Sequence, residues 1–169
     1  MQDTRSESRS LDALEVRPIR EKARWNRLVT NHHYLGSARL AGESVRYVAT
    51  IENRWVALLG WSGAAFKLAD RDRWIGWCET QRKQRFKYVV NNSRFLILPG
   101  VEIKNLASKA LALNRKRLFC DWVEAYRHPV VLAETFVDPA HFHGTSYRAA
   151  GFTVVGRTKG YGLDLEKTW

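Results

Sequence analysis

Cysteine is nearly absent: Cys78 and Cys120 are the only two in 169 residues, and their spacing is not that of a metal site. A disulfide framework is excluded, and each thiol falls in a helical pattern, where a reduced core cysteine is expected. Long apolar runs are also missing. No stretch approaches the roughly 20 apolar residues that span a bilayer. Residues 1–10 are charged and Ser-rich, without the apolar centre of a signal peptide. A cytoplasmic protein without a membrane partner is expected, with a frayed tail over residues 1–13. Proline is scarce, and all four (Pro18, Pro99, Pro129, Pro139) stand at the ends of predicted elements. With no repeat, linker or low-complexity block, residues 14–169 are expected to form one domain.

Negative charge is in short supply as well. Seventeen acidic residues face 28 Lys and Arg, a net charge of +11. A domain this basic points to a polyanionic partner, and DNA is the partner expected.

Along the chain, Leu14 to Ile19 alternates as a first strand, and Glu21 to Tyr34 carries apolar residues at helical spacing. Two adjacent histidines, His32 and His33, cannot both face one way at the end of that helix, so at most one, taken as His33, enters a site. Val45 to Ile51 and Trp55 to Trp61 alternate around Glu52-Asn53-Arg54 as a hairpin. Asp70 to Val90 reads as one basic helix. Its Arg71, Arg73, Arg82, Lys83 and Arg85, interleaved with Trp74 and Trp77, form an arginine-and-aromatic cluster of the kind that holds nucleic acid. Asn91-Asn92-Ser93 is expected to end it before a buried strand, Arg94 to Pro99. A long helix follows from Leu106 to Tyr126, with Lys104 and Lys109 adding positive charge near its start.

The next strand, Val130 to Val137, carries the chemistry. Glu134 sits inside an apolar run, and a buried carboxylate needs a partner because desolvation costs several kcal/mol. Arg94, Asn91 or Asn92 would supply it in a purely structural role. Asp138 lies four residues on and would share the face of Glu134 about 13 Å away, too far for one shared ion. Glu134, and Asp138 with the nearby His141 and His143, are the candidate donors for a catalytic divalent metal, Mg or Mn. Tyr147 follows on a short helix closed by Gly151, with Arg148 beside it. It is a candidate general acid, nucleophile or phosphate ligand. The element order β-α-β-β-α-β-α-β-α-β describes an α/β domain, a mixed sheet with helices on both faces.

Two resemblances follow from these residues. Phe95-Leu96-Ile97-Leu98-Pro99, the long helix, the Val130 strand and Tyr147-x-x-x-Gly151-Phe152 resemble the GNAT acyltransferase fold. That likeness implies a splayed strand pair and a general-acid role for Tyr147. It would also imply an acyl-CoA cofactor. However, the equivalent of the pyrophosphate loop, Val101 to Ser108, has no glycine and carries Glu102, so acetyl-CoA is not expected. A closer likeness runs from His32 onward. His33-Tyr34-Leu35-Gly36, Leu59-Gly60-Trp61, Arg71-Asp72-Arg73-Trp74-Ile75-Gly76-Trp77, Asn91 to Pro99, Glu134-Thr135-Phe136-Val137-Asp138 and Phe142-x-Gly144-Thr145-x-Tyr147 resemble the DruA family. That family takes its name from the Druantia anti-phage system and also occurs beside transposase genes. The likeness implies a role in defence or transposition, with other proteins of such systems as partners. It also implies a further strand after the glycine-rich end, here missing, reduced or supplied by a partner. The expected function is metal-dependent nicking or cleavage of DNA, using Glu134, Asp138, Tyr147 and His33. The alternatives are a non-catalytic DNA-binding adaptor and an N-acyltransferase.

Overall fold

The computed structural model describes residues 11–158. Five strands form one sheet in sequential order: β1 (Leu14–Pro18), β2 (Ser44–Ile51), β3 (Arg54–Gly63), β4 (Val89–Ile97) and β5 (Leu132–Glu134). The first four pair antiparallel and β5 runs parallel to β4, so the sheet is mixed. Strand alternation sends Leu14, Val16, Tyr47, Ala49, Leu59 and Trp61 to one face. There they meet Leu106, Leu111, Leu118 and Trp122 of the long helix α4 (Leu106–Tyr126). Val48 and Leu58 point the other way, against Trp25 and Val29 of α1 (Lys22–His32). Helices thus cover both faces, as the pattern predicts.

Several local features explain this arrangement. β2 turns into β3 through Glu52 and Asn53, both at positive φ, which gives a two-residue turn with the strands' own twist. The ring of Trp25 lies on Gly60, where an added Cβ would come within 3.0 Å of it. Each of these two buried indole N–H groups finds an acceptor, Trp25 Nε1 on the Tyr47 carbonyl at 3.1 Å and Trp61 Nε1 on Asn114 Oδ1 at 2.6 Å.

The structure departs from the sequence reading at six places. The expected helix 70–90 breaks into α2 (Ala69–Ile75) and α3 (Glu79–Arg85), separated by Gly76 at φ +80°, followed by a 3₁₀ turn over Phe86–Tyr88. β4 begins at Val89, so Asn91-Asn92-Ser93 lies inside the strand: pairing with β3 outweighs the turn preference of asparagine. β5 is three residues long, and Asp138 lies beyond it, which removes the shared face with Glu134. Thr153 to Val155 forms no strand. Cys78 and Cys120 are exposed rather than in the core, at the start of α3 and on the outer side of α4. Leu11, within the expected tail, packs against the core. The terminal glycines Gly160 and Gly162 lie outside the described residues. Among the described residues no helix is long and apolar enough to cross a membrane.

Candidate functional site

The site forms where β4 and β5 part. They pair over only three positions, Val89 with Leu132, Val90 with Ala133 and Asn91 with Glu134. Two residues later Ser93 is an extra residue in β4, because Gly60 faces Arg94 while Trp61 faces Asn92. Polar side chains then take over from the strand ladder on either side of the divergence.

On one side, Glu134 meets Arg71. Arg71 Nη1 lies 3.2 Å from Glu134 Oε1, while Nε and Nη2 hold Asp72 Oδ1 at 3.0 and 2.8 Å. Nη1 and Nη2 also donate to the carbonyls of Ala65 and Phe66. Arg82 completes the group at 3.4 Å from Asp72 Oδ2. Two arginines and two carboxylates form a charge-balanced cluster, which is how a buried ion group escapes its desolvation cost. Burial raises the pKa of Glu134 and the Arg71 charge and hydrogen bonds pull it back. The sequence offers Arg94, Asn91 or Asn92 as the partner of Glu134; the residue that arrives is Arg71, 63 positions away in the chain.

In the gap itself, Asn92 is buried and fully used. Its Nδ2 donates to the Gly60 and Arg94 carbonyls at 3.2 and 3.3 Å, and its Oδ1 accepts from the Tyr147 hydroxyl at 2.7 Å. Thr135 Oγ1 donates to the Asn92 carbonyl at 3.1 Å, which ties the departing β5 segment back to β4. Tyr147 stands on α5 (Thr145–Ala149), its ring edge-on to Phe95 and Phe152. Burial pushes its pKa up to about 12, so the hydroxyl keeps its proton at neutral pH. Asn91 Oδ1 is buried and finds no donor among the described residues.

On the other side, a cluster gathers beside the end of α1. Arg94 Nε and Nη1 donate to the carbonyls of Ser37 and Ser93, both at 2.6 Å. His33 is buried, and its Nδ1 accepts from the Leu35 amide at 3.2 Å. Desolvation, then the charge of Arg94, lowers its pKa to about 4, so it is neutral near pH 7. Tyr34 stacks on His141 at 5.3 Å, and His141 Nδ1 pairs with Asp138 Oδ2 at 2.9 Å. The Ala140 amide and His141 together hold the Asp138 carboxyl below its usual range.

The four candidate metal donors therefore divide. Glu134 belongs to Arg71, Asp138 pairs with His141, and His143 is exposed. Among the described residues no three His, Cys, Asp or Glu side chains come together as a metal site. The residues expected on DNA divide as well. Arg71 is 1% exposed and committed to the ion cluster, so it belongs to the interior. Arg82 is largely buried against Asp72 and over the Phe66 ring. Arg73 and Lys83 are exposed and pair with Asp70 and Glu79. Arg85, Lys104, Lys109 and Arg148 are exposed without a carboxylate partner among the described residues. Trp74 is 58% exposed and Trp77 half-buried. Sequence reasoning missed Asp72, Thr135, Ser37 and Tyr34 as site members. The one local signal was Asp72 standing next to an arginine.

Fold and site together define a basic single-domain α/β protein whose polar residues collect where two parallel strands separate. The chain matches over residues 1–167 the family model described as "Druantia protein DruA", and it belongs to the DruA family, a family of anti-phage defence proteins. No curated protein matches it.

Proposed function

We propose that this protein is a DNA-binding component of an anti-phage defence system, working with other proteins of that system. The observation that carries the reading is the excess of 11 positive charges together with exposed cations at Arg85, Lys104, Lys109 and Arg148 that have no carboxylate partner among the described residues. Cations left free by their own fold neutralise phosphates and release counterions, and that release drives association with DNA. The ion cluster around Glu134 serves the fold in this reading. A GNAT-like origin of the domain draws support from the parallel β4–β5 pair that separates after three residues. Glu102 and the glycine-free turn at Val101–Ser108 speak against acyl-CoA as its ligand. The reading is tested by titrating labelled duplex DNA with the purified protein over a range of salt. Binding that weakens steeply with salt is the expected result; no binding at low salt overturns it.

A second reading, DNA nicking, is favoured by the Asp138–His141 pair, in which an ionised carboxylate orients an exposed imidazole. Those two side chains fall short of a metal site made by the protein alone, so no step is assigned to Mg or Mn. Supercoiled plasmid incubated with Mg²⁺ or Mn²⁺, with and without EDTA, tests it. Nicking that disappears in Asp138→Asn supports this reading, and an inert wild-type protein removes it.

A further inference from the structure

Four aromatic rings gather beside the strand divergence, and three of them face solvent. Tyr34 is 47% and Phe142 51% exposed, and the His141 side chain is also exposed. His141 lies face to face with Tyr34, with centroids 5.3 Å apart and planes 29° apart. Phe142 meets the edge of Tyr34 at 5.5 Å. Behind them the buried His33 ring sits 4.7 Å from Tyr34.

The His141 ring and the loops that carry the other rings are held in place. Asp138 takes His141 Nδ1 at 2.9 Å, and its carbonyl accepts the amides of both His141 and Phe142 at 3.1 and 2.8 Å. On the opposite strand of chain, the Gly36 amide closes the Tyr34 turn on the His33 carbonyl at 2.8 Å. Rings fixed in this way lose little conformational freedom when a flat ligand stacks on them.

We propose that Tyr34, His141 and Phe142 form a stacking platform for unpaired bases, so that this protein prefers single-stranded DNA to duplex. The inference rests on the DNA-binding reading and deepens it. In duplex DNA the base faces are covered by their neighbours; in a single strand each base offers a free face to an aromatic ring. Charge complementarity selects nucleic acid as the occupant. The protein carries +11 overall; the Asp138 carboxylate beside Tyr34 is taken up by His141, and the Arg94 guanidinium adds positive charge next to His33 and Tyr34.

The test uses the full chain and short oligothymidylate, with a duplex of equal phosphate number, at one salt concentration. A second oligonucleotide carries 2-aminopurine, whose fluorescence falls on stacking. Wild type is expected to bind the single strand more tightly than the duplex and to quench the 2-aminopurine. The Tyr34→Leu/Phe142→Leu variant keeps apolar bulk without aromatic faces. It should lose about tenfold or more on the single strand, consistent with the strength of base–aromatic stacking, and leave duplex affinity unchanged. Circular dichroism and melting confirm that the variant is folded; should it not be, the single variant Phe142→Leu takes its place with the same expectation. Duplex binding without single-strand preference overturns the platform while sparing the DNA reading. Failure to bind either form overturns both. Single-strand affinity unchanged in the folded variant also overturns the platform, and would leave these rings to a protein partner.

Discussion

Arg71 and Glu134 stand 63 positions apart in the chain and meet at 3.2 Å, with 1% and 11% of their side chains exposed. Their contact ties the excursion between β3 and β4 to the end of β5. It changes the meaning of both residues: Glu134 is a buried anion with its cation, and Arg71 is that cation.

Removing one partner of such a pair costs more than the pair itself contributes, because a charge is left buried alone. Arg71→Met should destabilise the fold by about 3–5 kcal/mol. Glu134→Gln keeps a hydrogen-bond acceptor for Arg71 and should cost less, about 1–3 kcal/mol. Urea unfolding at neutral pH measures both. A Glu134→Gln protein as stable as wild type would show that the pair is not what holds this corner together.

His33 gives the fold a pH dependence of definite sign. Its folded pKa of about 4 lies below the ordinary imidazole value of 6.5, so between those values the unfolded chain binds more protons. The stability linked to a neutral His33 is fully present above pH 6.5 and is lost as pH falls toward 4. In His33→Gln the stability–pH profile should be flatter across that window. Chemical unfolding at several pH values is the measurement.

Tyr147→Phe deletes the hydroxyl that donates to Asn92 Oδ1 and leaves that buried oxygen without its donor. A loss of roughly 1–3 kcal/mol is expected, with DNA affinity unchanged. Equal stability combined with loss of a DNA-processing activity would instead make the hydroxyl catalytic.

Reversing to Glu the exposed Lys83 and Arg85 of α3, together with the exposed Lys87 of the 3₁₀ turn that follows it, should weaken duplex binding across sequences and flatten its salt dependence. Each phosphate contact contributes roughly −0.9 to the slope of log K against log salt. Arg82 is left out because it supports Asp72. Fluorescence anisotropy at several salt concentrations decides, and an unchanged slope would move the DNA surface elsewhere.

Isothermal calorimetry with acetyl-CoA should give no binding heat, since the segment Val101–Ser108 leading into α4 has no glycine after Gly100 and carries the acidic Glu102. Micromolar binding would revive the acyltransferase reading.

The β2–β3 hairpin and the helix Leu106–Tyr126 were determined by the sequence alone, because alternation and helical spacing act within a few residues. So was the need of Glu134 for a partner, since an apolar strand around a carboxylate states the desolvation problem locally. Which residue answers it was settled only by tertiary structure. Arg71 lies in a segment whose composition reads as a solvated basic helix, yet Gly76 breaks that helix and Arg71 turns inward. Likewise Asn91 and Asn92 carry turn propensity, and pairing with β3 drew them into β4. The platform of Tyr34, His141 and Phe142 joins two loops more than a hundred residues apart. No local pattern encodes such a meeting: it depends on where the sheet places the end of α1 and the loop after β5.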